Sequence, residues 1–140
     1  MAYATVQDMV TRFGANELIR LTTPADQALD GIVTAVADTA LNSASVMMDS
    51  FIGRRYKTPM DLPPPVVTDM CCDIARFRLS TGDQKTPSEE VRARHKDAMS
   101  WLESVSKGLV VLELDEVAPG DESYAEVQTR EAAPFGGNGW

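Results

Sequence analysis

The chain has little of what most catalytic and metal sites are built from. Among 140 residues there is one histidine, and the two cysteines, Cys71 and Cys72, are adjacent. Neighbouring cysteines cannot staple distant segments together, which excludes a disulfide framework and fits a reducing compartment. They also lack the two-residue spacing of a redox or zinc motif. On a helix, consecutive side chains point about 100° apart, which predicts one thiol in the core and the other at its rim. His95 has Met99 four residues on, not a ligand residue, so no metal pair forms on its face and it reads as a packed or interfacial side chain. No Gly-x-Ser-x-Gly elbow and no Gly-x-x-x-x-Gly-Lys-Ser/Thr loop occurs. The paired carboxylates, such as Glu89-Glu90 and Asp115-Glu116, fall at a helix start or in a polar stretch. Acid–base catalysis needs buried, perturbed groups instead. The expectation is a protein with no enzymatic activity, no cofactor and no metal.

Positive charge is also in short supply. Lys and Arg total 13 against 21 Asp and Glu, a net charge of −8. The imbalance is local: Glu113, Asp115, Glu116, Asp121, Glu122, Glu126 and Glu131 face only Arg130. Nucleic acid and anionic membrane demand a net positive surface, so neither is expected as the main partner. No apolar run approaches the roughly 20 residues that cross a bilayer. The opening residues Met1 to Thr5 lack the basic and apolar regions of a secretory signal. The protein is therefore expected to be made and kept in a cytoplasm.

What the chain does have is helical periodicity. Thr5 can cap a helix from Val6 to Phe13, ended by Gly14, and a second short helix runs from Ala15 to about Leu21. Thr23-Pro24-Ala25-Asp26 reads as a start signal: a capping hydroxyl, proline at the first position and a carboxylate near the positive dipole end. From Leu29 to Ile52 apolar residues recur at spacings of three and four, which predicts one very long helix reaching about Arg54, with Gly31 and Ser43-Ala44-Ser45 as places to kink. Leu62-Pro63-Pro64-Pro65 must be extended. A helix from about Pro65 to Ser80 follows. Thr86-Pro87-Ser88-Glu89 repeats the start signal for a last helix to Lys107, closed by Gly108. The segment from Leu109 to Leu114 is β-prone but has no local strand to pair with. The fold class expected is all-α, a helical bundle with one very long helix, a short β-prone segment and an extended C-terminal arm. Residues 1–108 form the helical domain, and residues 109–140 the β-prone segment and acidic arm.

Two places look suited to contact. Gly53-Arg54-Arg55-Tyr56-Lys57 is the one concentrated basic patch. It reads either as cations matched to a helix C-terminus or as a contact with an acidic partner, extended by Arg76 and Arg78. Phe135 and Trp140 lie in a Gly-rich acidic stretch with nothing local to pack against. The plain reading is a disordered end or a tag. The favoured one is an arm that docks on another subunit through its aromatic anchors.

The order of these features resembles the Mu-like bacteriophage family of small head–tail connector (adaptor) proteins. Tyr3-Ala4-Thr5-x-x-Asp8-Met9-x-x-Arg12-Phe13-Gly14-x-x-Glu17-Leu18-Ile19-x-Leu21-Thr22 is similar to that family's opening. The likeness continues through Asp49-x-Phe51-Ile52-x-x-Arg55-Tyr56, Pro59, Pro64-Pro65-x-Val67, Asp73-Ile74-Ala75-Arg76-x-x-Leu79 and Trp101-Leu102-x-x-Val105-x-x-Gly108. The resemblance implies a helical virion protein at the head–tail junction, without cofactor or catalytic residues. It implies a homo-oligomeric ring, a dodecamer, beneath the portal protein, with an arm reaching toward the portal. The tail or a head-closure protein lies on the other side, and DNA passes through the channel without specific binding. The runner-up is a tail-completion or head-closure protein. The rival of another class is a small helical DNA-binding regulator using Arg54, Arg55 and Lys57, opposed by the net charge and the absence of helix-turn-helix spacing.

Overall fold

The computed structural model describes residues 2–82 and 85–114. Five α-helices form among them: α1 (Val6–Phe13), α2 (Ala15–Thr22), α3 (Thr34–Ile52), α4 (Pro65–Ser80) and α5 (Glu89–Ser106). The all-α expectation holds for these residues. The expected arm, from Asp115 on and including Phe135 and Trp140, lies outside the described residues.

Local chemistry explains most boundaries. Thr5 and Asp8 form a reciprocal capping box: Thr5 Oγ1 accepts from the Asp8 N–H at 3.1 Å, and Asp8 Oδ2 accepts from the Thr5 N–H at 2.9 Å. Gly14, at φ +93°, turns the chain directly from α1 into α2, and its N–H closes α1 on the Val10 carbonyl. At the other end Gly108, at φ +80°, follows α5 in a Schellman turn. Its N–H bonds the Val105 carbonyl at 3.0 Å, and the Leu109 N–H bonds that of Ser104 at 2.9 Å. A Cβ at Gly108 would meet Arg55 Nη1 at 2.9 Å, but a guanidinium end can swing aside, so it is the positive φ that calls for glycine.

Three expectations are corrected. The very long helix does not form; α3 starts only at Thr34. Thr23 does not cap it, because its hydroxyl bonds back to the Ile19 carbonyl at 2.6 Å and finishes α2 instead. Thr22 Oγ1 accepts from the Val33 N–H at 2.9 Å and fixes the end of an irregular loop. That loop leaves Leu29 exposed, so the apolar spacing ahead of Thr34 was not a core stripe. The last helix starts two residues later than its proline suggested, because Ser88, not Thr86, is the cap; Ser88 Oγ accepts from the Val91 N–H at 3.2 Å. Finally, Leu109 to Leu114 forms no strand. With no strand to pair with, the segment folds against the bundle: Leu112 is buried and its N–H donates to Tyr56 Oη at 2.8 Å.

Helices α3, α4 and α5 lie side by side, with α4 packed on both others and α1–α2 laid against α3 and α4. Early α3 and late α4 line one hollow (Val36 with Leu79), so the two run antiparallel. The core is a continuous apolar cluster including Met9, Leu18, Leu41, Met48, Ile52, Ile74 and Leu102. Both cysteines are buried in it, against the expectation of one at the rim. Cys71 lies against α3, 3.4 Å from Ser45 Oγ and 3.8 Å from the Leu41 carbonyl, and α1, α2 and α5 also pack on α4.

Candidate assembly interface

Tyr3, ahead of α1, ties three parts of the fold together. Its N–H donates to Ser45 Oγ at 2.9 Å, its hydroxyl donates to Asp49 Oδ1, and the same Tyr3 Oη accepts from the Met60 N–H at 3.1 Å. Its carbonyl accepts from Thr68 Oγ1 at 2.9 Å. Burial, reinforced by the bond to Asp49, raises the phenol's pKa well above the ordinary range. Ser45 also lies 3.4 Å from Cys71 Sγ. Burial pushes the Cys72 thiol up to about 12 and raises Cys71 as well, which keeps both in the unreactive thiol form.

A second polar cluster fastens α1–α2 to α4–α5. Arg12 reaches Asp73 at 3.0 Å and Asp69 at 3.1 Å. Arg76 clasps Glu17 bidentately, Nε to Oε2 at 2.6 Å and Nη2 to Oε1 at 3.0 Å. Its Nη1 lies 3.7 Å from Glu90, an electrostatic contact too long for a hydrogen bond. Arg94 meets Glu90 at 3.2 Å. The Phe13 ring sits beneath both guanidinium groups, 4.3 Å from that of Arg76 and 5.5 Å from that of Arg12. Burial alone would lower the Arg76 pKa, but the bonds and charge of Glu17 outweigh it and raise it. A hollow of about 480 Å³ lies among these groups. Each arginine in it faces a carboxylate, so the arrangement acts as an internal lock more than as an anion pocket. Arg76 therefore does not extend the basic patch as expected; it is buried at the far end of α4.

The basic patch itself lies at one end of the bundle. Arg54 and Lys57 are exposed there, and Arg55 is half-buried beside Gly108. Tyr56, the remaining residue of that candidate contact, is 1% exposed and serves the core through its bond to Leu112. The Tyr56–Leu112 bond brings Lys107, Leu109 and Val111 to the same end, and both apolar side chains are exposed. Cations beside uncovered aliphatic groups make a surface of mixed character, suited to a protein partner. The sequence pattern revealed the cations but not the aliphatic neighbours, which read as a strand. His95 is half-buried, stacked on Phe77 with ring centroids 3.8 Å apart. Burial and the charge of Arg78 lower its pKa, so it is held neutral and packed.

Among the described residues no cluster of three or more His, Cys, Asp or Glu could hold a metal ion. Nor is any helix among them long and apolar enough to cross a membrane. Residues 3–131 match the protein family described as Bacteriophage Mu, Gp36. Gene product J of Escherichia phage Mu is 33% identical over 134 residues, covering 92% of this chain and 91% of the relative. The Mu-like prophage FluMu protein gp36 of Haemophilus influenzae is 28% identical over 139 residues, covering 99% and 92% respectively.

Proposed function

The chain belongs to the Bacteriophage Mu Gp36 family, and from that premise we propose that it is a virion structural protein joining the phage head to the tail. In this role it is a subunit of an adaptor ring around the DNA channel, seated on the portal protein and working without catalysis or cofactor. The observation that carries the reading is the family match across residues 3–131, nearly the whole chain. Three physical features support it. The bundle is locked internally by Tyr3 and by the Arg12–Arg76 cluster, which suits a part that bears load. One end presents Arg54, Lys57 and Lys107 beside Leu109 and Val111, a surface for a neighbouring virion protein. The net charge of −8 disfavours sticking to passing DNA. Beyond the described residues, Phe135 and Trp140 supply aromatic anchors for docking on the portal.

A phage carrying a stop codon in this gene tests the reading. Filled heads and complete tails that fail to join are the expected products, and the protein itself is expected in mature particles. Joined particles would overturn the reading, and heads accompanied by tails of irregular length would transfer the role to tail completion.

A further inference from the structure

A groove runs along the outer side of α3 and α4. It consists of three adjoining hollows of about 460, 420 and 230 Å³. Val36 is shared by the first and third, Ser43 by the first and second, and Arg78 lines all three. Its walls are largely aliphatic, from Val36, Ala40, Val46, Met47 and Leu79, and Val46 is 71% exposed. The ionisable groups lining it are Arg78 and Lys85, both cations. An aliphatic trough with cationic edges selects a peptide that is acidic and apolar together.

The chain carries such a peptide. Asp115 to Glu131 holds Asp115, Glu116, Asp121, Glu122, Glu126 and Glu131 against Arg130 alone, interleaved with Val117, Tyr124 and Val127. We propose that residues 121–131 dock in the α3–α4 groove of their own chain, with Tyr124 and Val127 against the aliphatic wall and Glu126 toward Arg78. The geometry allows this at short range. The Leu112 N–H is held at Tyr56, just past the end of α3. Measured back from Ile52 at about 1.5 Å per residue, the groove extends from about 8 Å at Met47 to about 24 Å at Val36. Residues 115–120 can span about 20 Å when extended, comparable to that distance along α3. So short a tether gives an effective concentration of roughly millimolar, which favours the chain's own groove over a neighbour's. Docked in this way, residues 121–131 cover the side of the bundle while Phe135 and Trp140 remain for a partner.

The test is photo-crosslinking of the full chain with p-benzoylphenylalanine replacing Val46. Cross-links to peptides within residues 121–131, in monomeric product and at a yield unchanged by dilution, are expected. Cross-links found only between copies, or none to these residues, would overturn the proposal. Arg78→Glu, at an exposed position that leaves the core intact, is expected to cut the yield about two- to fivefold or more. Arg78→Glu with Glu126→Arg should restore it. An unchanged yield in Arg78→Glu would refute the charge pairing. None of these readouts involves the portal, so they stand or fall separately from the adaptor reading.

Discussion

Replacing Tyr3 by Phe removes one oxygen and leaves the ring in place. That oxygen donates to Asp49 and accepts from the buried Met60 N–H. A hydrogen bond to a charged group contributes about 1.5–3 kcal/mol, and an orphaned buried N–H costs about 1–3 kcal/mol. Asp49 is only half-buried and can recover some hydration. The expected loss for Tyr3→Phe is therefore about 2–4 kcal/mol. At an m-value of about 2 kcal/mol/M this lowers the urea midpoint of the full chain by roughly 1–2 M. The pH dependence adds a second check. The folded state raises the Tyr3 pKa, chiefly through burial, so it holds that proton more tightly than the unfolded chain does. The contribution is complete below the ordinary tyrosine value of about 10 and is lost as pH rises beyond it. The gap between the parent and Tyr3→Phe should thus stay constant up to about pH 10 and narrow progressively above it. A loss under about 0.5 kcal/mol at neutral pH would refute the argued role of the hydroxyl.

Other perturbations follow from the same structure. Arg76→Met strips half-buried Glu17 of its bidentate partner, while exposed Glu90 keeps Arg94, and is expected to cost about 2–3 kcal/mol, read by denaturant unfolding; a neutral result would mean the lock adds nothing. Cys71 and Cys72 should resist thiol reagents at mildly alkaline pH and both react once the chain is unfolded, and rapid labelling of either native thiol would contradict their burial. Gly108→Ala forces a Cβ into the left-handed region and toward the Arg55 guanidinium. It should lower stability by about 1–2 kcal/mol through the positive φ, and an unchanged melting curve would refute that constraint.

Much of the bundle could be read from residues alone because its signals are local. Thr5 and Asp8, the Pro64-Pro65 pair, Gly14 and Gly108 act within a few positions of themselves, and α1 and α4 appear where they pointed. The overlong helix misled for a physical reason. Leu29, Ile32 and Val33 keep helical spacing into α3, yet the hydroxyls of Thr22 and Thr23 claim the backbone around that loop for other bonds. The family signature named Tyr3, Arg12, Glu17, Asp73 and Arg76 without showing what they do. Arg76 and Glu17 are 59 positions apart, Tyr3 and Met60 are 57, and only the fold brings them together. Tyr56 misled in the opposite sense, since a tyrosine among arginines looks exposed until Leu112 closes over it.

The most direct test of the connector role is imaging of the purified chain mixed with its cognate portal ring, with and without residues Phe135 to Trp140. A ring of added density on the tail-facing side of the portal, lost on truncation, is the predicted result. A portal left bare by the full-length chain would contradict the adaptor role and make the tail tube the partner to examine.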